Sequence, residues 1–306
     1  MNSYLKGILC CLIATLSWGG MFPVMTAALI HLDPFNFTTL RYGIAGVAFA
    51  LLLFWREGVG AFSLKAQRYV LAWLFGTLGF AGFGFLVFWG QQLAGPSGAL
   101  SASIMMATMP MLGLLSVWVL KHIRPRKSTF GFILLSFLGV LLVITKGDLI
   151  AVLDSPGDLI ADLLIIIGAL CWVLYTIGGS YFPHWSAVRY TTITTLLGML
   201  SIVGVDGVLI ATGVVASPNI AQVSAVIPHL LYMALVAGMV AVLCWNVGNK
   251  IIIATNGVLF MDVVPITAFV VSALSGVVPS WAQIIGAGIT ASALVLNNLN
   301  QRRFAR

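Results

Sequence analysis

The chain has 306 residues, 60% of them hydrophobic and only 8% charged, and its mean hydropathy is +1.08. A soluble domain carries about a quarter charged residues, so there is too little charge here to clothe a water-facing surface. The net charge of +7 would point to nucleic acid in a soluble protein. In this chain the basic residues collect in the loops between apolar stretches, and no nucleic-acid partner is expected.

Apolar segments of roughly 20 residues, each able to cross ~30 Å of hydrocarbon, recur along the whole length. Ten spans are predicted, over 5–30, 36–55, 69–91, 97–120, 128–146, 160–182, 188–213, 225–248, 256–277 and 281–299. A membrane β-barrel would instead alternate polar and apolar residues over segments of about ten. The predicted fold class is therefore an all-α membrane protein with ten transmembrane helices. Lys6 ahead of the first span imitates a signal peptide, but the apolar part is too long for one and its content returns later, so it is expected to be retained.

In chain order, the first span centres on "ATLSWGG", which puts Trp18 where the bilayer is driest, although tryptophan normally settles at the headgroups. Phe22 follows it. Arg41 and Tyr42 open the second span. The third, "FGTLGFAGFGF", spaces Gly76, Gly79, Gly82 and Gly84 for close helix approach, and it also carries Phe83 and Trp89. It lacks the strand pattern and lysine of a phosphate-binding loop. Pro110 interrupts the fourth span. The sixth carries Trp172 in "GALCWVL", followed by Tyr175, and Arg189 and Tyr190 open the seventh. Trp245 and Asn246 lie in the eighth span. In the ninth, Asp262 stands three residues before Pro265. Cys10, Cys11, Cys171 and Cys244 read as small apolar core residues, with neither CxxC nor metal-ligand spacing. No metal or cofactor is expected.

With ten spans the connections alternate between two sides. One side receives thirteen lysines and arginines, and the other only Arg41 and Lys146. By the positive-inside rule both termini are cytoplasmic.

Displaced by about 154 residues, the chain partly matches itself. "IATLSWGG" overlies "IGALCWVL", superposing Trp18 on Trp172. "LRYG" overlies "VRYT", "VFWG" overlies "LCWN", and Pro110 overlies Pro265. The halves are predicted as 1–148 and 159–306, joined by the linker 149–158. Five spans per half is an odd number, so the copies are inverted relative to each other. Inverted repeats of this kind build secondary transporters that bind solute near the midplane. Trp18 and Trp172 then face one axis at mid-depth and line a cavity, the plain alternative being that each indole only fills space between helices.

These features resemble the drug/metabolite transporter superfamily: ten spans, a five-plus-five duplication, "SWGG" and "LCW" in the first span of each half, and Pro110 and Pro265 in the fourth. The closest likeness is to its EamA-type ten-span exporters and, within them, to bacterial aromatic amino acid exporters. The resemblance implies an inner-membrane carrier that moves small metabolites outward by alternating access. Many relatives carry Glu next to the ninth-span proline, whereas this chain has Asp262 three residues earlier, so that role is not transferred.

Asp262 is read as the one carboxylate well inside a span, for proton coupling, a substrate ammonium, or a bond to a neighbouring helix. Pro110 and Pro265 free the carbonyls of Met106 and Met261 and are candidate hinges. Arg41 and Arg189 are read as interface anchors, the alternative being gating ion pairs such as Arg41 with Asp33. The candidate substrate-binding residues are Trp18, Phe22, Tyr42, Phe83, Trp89, Trp172, Tyr175, Tyr190 and Asn246. With no basic residue expected near mid-depth, strongly anionic solutes are not expected. An aromatic-lined pocket suits amino acids with apolar or aromatic side chains, and the alternative solutes are lipophilic cations or other small neutral metabolites. An intramembrane enzyme would need convergent polar groups, which the histidines at span ends do not supply. The expected partners are a small solute, an amino acid, and membrane lipid, and the pattern is compatible with a monomer.

Overall fold

The computed structural model describes residues 3–63, 68–122, 127–145, 147–148, 156–252, 260–261, 263–274, 276 and 279–303, and every regular element among them is helical. The principal helices are α1 (Ser3–Leu29), α2 (Pro34–Glu57), α3 (Tyr69–Leu93), α4 (Gly98–Lys121) and α5 (Lys127–Thr145). The second half holds α6 (Pro156–Gly178), α7 (Ala187–Ala211), α8 (Ile220–Ile252), α9 (Val263–Leu274) and α10 (Trp281–Arg303). Seven of these (α1 to α4 and α6 to α8) are long and apolar enough to cross a membrane. The predicted spans 128–146, 256–277 and 281–299 meet α5, α9 and α10, with 253–259 and Asp262 outside the described residues.

Local chemistry sets the helix ends. Asp33 caps α2 by accepting from the backbone N–H groups of Phe35 and Asn36, each at 2.9 Å, with Pro34 in the first turn. A proline there gives up an N–H that has no partner in any case. The chain leaves α2 through Gly58 at φ 72°, a conformation that favours glycine. Ser186 caps α7. A reciprocal Asn219–Gln222 capping box starts α8, several residues before the predicted span. The cap satisfies the first free N–H groups, so the helix begins in the loop and runs ~50 Å at 1.5 Å per residue.

The packing repeats with the halves exchanged. Helix α1 lies against α8 and α9, and its counterpart α6 lies against α3 and α4. Helices α2 and α7 pack together, as do α4 and α9, and α5 and α10, each pair joining corresponding helices of the two halves. Glycines allow the close crossings. A side chain at Gly76 on α3 would collide with the Thr194 carbonyl of α7, and one at Gly79 would meet the Tyr175 ring at 2.5 Å. Gly82 and Gly84 face Cys171 and Thr38 in the same way. The outward faces are apolar, as Leu51, Leu200 and Val270 illustrate, while the exposed indoles Trp55 and Trp281 sit at helix ends. That placement is the interfacial one.

Both halves depart from α-helical winding at matching places. Helix α3 is π-helical over Thr77–Gly82, and α8 over Tyr232–Val240. In a π stretch the hydrogen-bond ladder is re-paired to i→i+5, and such stretches cluster at functional sites. Helix α4 tightens to a 3₁₀ turn over Met106–Thr108 directly before Pro110. Phe260 and Met261 form a similar turn before Pro265. At both places the carbonyl–ring clash of a mid-helix proline is taken up by local rewinding.

Candidate functional site

Trp18 and Trp172 meet edge to face, with ring centroids 5.3 Å apart, and both indoles are buried. They line a narrow, tightly packed cavity of about 20 Å³, room for roughly one water molecule. Phe22, Tyr42 and Phe83 share its wall. Of the nine candidate binding residues, these five are brought together.

The other four are not. Trp89 is 39% exposed and lies against Phe35 on the outside of the bundle. Sequence pairs it with Trp245, but α3 turns this position outward. Tyr175, Tyr190 and Asn246 form a support behind Trp172. The ring of Tyr175 is 5.0 Å from Trp172 and stacks at 5.3 Å on Tyr190. The Tyr190 hydroxyl donates to the Tyr175 carbonyl at 2.6 Å. The Asn246 amide donates to the Tyr175 hydroxyl at 2.9 Å and to Thr191 at 2.7 Å. These bonds fix the wall and leave no donor of Asn246 for a solute.

Arg41 corrects the sequence reading most. Expected at the membrane interface, it is 1% exposed and lines the cavity. Its Nε donates to the Met233 carbonyl at 2.9 Å, and Nη2 reaches the Met21 sulfur at 3.6 Å. Its guanidinium carbon lies 4.8 Å from the Tyr42 ring centroid and 5.4 Å from that of Phe88. The ion pair with Asp33 is not formed, because that carboxylate is spent on capping α2 and on Asn36. A basic residue therefore does lie in the cavity, where sequence placed none, and an anionic group has a cation to meet there. The repeat mate Arg189 lies elsewhere, donating to the Ser63 carbonyl at 3.0 Å beside the Trp185 ring.

The π stretch of α8 explains how α1 and α2 are held. Trp18 Nε1 donates to the Ala237 carbonyl at 3.0 Å, and Arg41 uses that of Met233. Both acceptors belong to Tyr232–Val240. Pro110 and Pro265 are buried, and the residues around them line the cavity as Met106, Met109, Met261 and Val264. Sequence reasoning named Met106 and Met261 only for their carbonyls and missed their side chains as lining. The signal was present, since the two methionines superpose in the same register as the prolines. Flexible, polarizable thioethers suit a wall that accepts varied apolar shapes. Asp262 lies outside the described residues.

The EamA-like transporter family matches residues 5–145 and again 159–299, so both halves carry the same domain. The chain belongs to the EamA-like transporter family. Among its relatives, uncharacterized transporter YrdR of Bacillus subtilis (strain 168) is 42% identical, covering 97% of this chain and 92% of that one. Uncharacterized transporter YyaM of the same organism is 29% identical, covering 88% and 86%. An uncharacterized transporter of Archaeoglobus fulgidus is 25% identical, covering 99% and 100%. A crystal structure of a protein 20% identical superposes with a TM-score of 0.67 over 99% of both chains and shares the fold. As an EamA member this is a multi-pass membrane transporter built from two repeats, and the cavity between those repeats is its candidate solute site.

Proposed function

We propose that the protein is a secondary transporter of the inner (cytoplasmic) membrane that exports apolar and aromatic amino acids by alternating access. The observation that carries this reading is the cavity where Trp18 and Trp172, corresponding residues of the first helix in each half, touch. Ring faces and thioethers give the site a lining that suits an apolar side chain once the halves part, while the indoles supply edges that orient an aromatic one. Outward transport follows from the resemblance to amino acid exporters.

In this reading ten spans form two inverted repeats, 1–148 and 159–306, around the linker 149–158, with both termini cytoplasmic. With Arg41 inside the bundle, the loop count becomes thirteen basic residues against one, which sharpens the positive-inside bias. Alternating access exchanges the roles of the halves, and the exchanged packing of α1–α8 with α6–α3 suits such a motion. The π stretches and the 3₁₀–proline turns are the places where helices bend.

The test is counterflow of radiolabelled L-tryptophan and L-leucine into proteoliposomes, together with resistance to toxic amino acid analogues in cells lacking other exporters. Saturable counterflow and conferred resistance are expected. Absence of both, from protein that is folded and inserted, refutes the proposal. Asp262→Asn reports on coupling: a proton relay requires uptake that responds to a pH gradient in the wild type and not in the variant.

A further inference from the structure

We infer that Arg41 and Trp172 form an anion anchor in the cavity, and that the transported solute is held through a carboxylate. The inference rests on the transport reading of this cavity and names the group that the solute must carry.

The guanidinium is buried among neutral partners. One carbonyl, one thioether sulfur and two ring faces surround it. Its Nη1 has no hydrogen-bond partner among the described residues. Among the described carboxylates near that end of α2, Asp33 caps the helix and Asp206 takes the Thr39 hydroxyl through one oxygen at 2.7 Å, and neither bonds Arg41. A buried charge with no counter-ion among the described residues is costly inside a membrane, and such residues mark solute or ion pathways. The indole Nε1 of Trp172 is a second buried donor without a partner among the described residues, and Trp172 lines the same cavity. Trp18 differs, because its Nε1 is already used on Ala237.

Among the described residues the cavity thus combines one cation, two side-chain nitrogens with unpaired N–H groups, the Tyr42 phenol and an otherwise apolar lining. A carboxylate accepts several hydrogen bonds and neutralises the guanidinium, whose planar fork matches its geometry. The rings and methionines remain for the apolar body. A cation lacking a carboxylate would meet a like charge and leave both donors unpaired. Lipophilic cations are therefore excluded, and a decarboxylated amine is not a substrate.

The experiment measures the thermal stabilisation of purified protein in detergent by matched ligands: indole-3-propionate, L-tryptophan, tryptamine and L-tryptophan methyl ester. Counterflow of labelled L-tryptophan competed by the same four compounds runs beside it. Both carboxylates are expected to stabilise and compete, while tryptamine and the ester are at least ~10-fold weaker, the scale of a hydrogen bond to a charged group. Arg41→Gln is expected to lose ~10-fold or more in carboxylate affinity. Arg41→Lys retains part, because it keeps the charge without the fork. Equal binding of tryptamine and indole-3-propionate to the wild type overturns the inference without need of any variant, as does carboxylate binding that survives in a folded Arg41→Gln protein. Stabilisation by carboxylates without amino acid counterflow keeps the anchor and removes the amino acid reading. Counterflow that ignores the carboxylate does the reverse.

Discussion

Trp172→Phe and Trp18→Phe separate a solute-facing donor from a structural one. Both swaps keep an aromatic ring and lose the same indole area, so the packing losses largely cancel in the comparison. The hydrogen-bond terms do not cancel. Trp18→Phe deletes the 3.0 Å bond to the Ala237 carbonyl and with it a link between α1 and the π stretch of α8. Leaving a buried group unpaired costs ~1–3 kcal/mol, with bonds inside membrane proteins averaging nearer ~0.6 kcal/mol. Trp172→Phe removes an N–H with no partner among the described residues, and so relieves a desolvation penalty. Trp172→Phe is therefore expected to be the more stable variant by about 1–2 kcal/mol. In transport the order reverses: Trp172→Phe raises the KM for tryptophan several-fold, because the lost N–H faced the solute. Reversible unfolding in mixed micelles and counterflow kinetics measure the two effects. If Trp172→Phe is as destabilising as Trp18→Phe and leaves KM unchanged, the assignment of the two indoles is wrong.

Gly76→Ala and Gly198→Ala each force α3 and α7 apart, since a side chain at Gly198 would meet the Gly76 carbonyl at 2.6 Å. Each should cost ~1–3 kcal/mol, and the double variant less than the sum, because the first substitution already opens the shared crossing. Additive losses in a thermal double-mutant cycle would place the contact elsewhere. Tyr190→Phe loses the 2.6 Å bond to the Tyr175 carbonyl and should lower stability by ~1 kcal/mol while leaving KM alone. A changed KM at unchanged stability would move Tyr190 into the solute path. Cysteine labelling at engineered positions next to each terminus should find both on the cytoplasmic side, and opposite sides would dismantle the inverted ten-span plan.

Much of the architecture was legible because the bilayer constrains it so strongly. Runs of about 20 apolar residues must be helical to satisfy their backbones. The register of Trp18 with Trp172 pointed to the cavity, since corresponding positions of the two repeats meet there. The corresponding match of Trp89 with Trp245 did not put Trp89 in the cavity. Trp245 contacts Trp18 at 5.2 Å, whereas Trp89 looks out of the bundle.

That split marks where sequence stops. Lipid tails are as apolar as leucine, so hydropathy around a membrane helix hardly distinguishes the face turned to lipid from the face turned to a neighbour. Composition and periodicity alone determined that this chain is helical, membrane-spanning, duplicated and basic in its loops. Only tertiary structure decided which rings face inward, that the π turns of α8 offer carbonyls to Trp18 and Arg41, and that Arg41 lies in the cavity rather than at the headgroups. The reason is geometric: an arginine near a helix start either snorkels to water or folds inward, and the acceptor that decides between them is a backbone carbonyl roughly 190 residues away, set by how two helices cross.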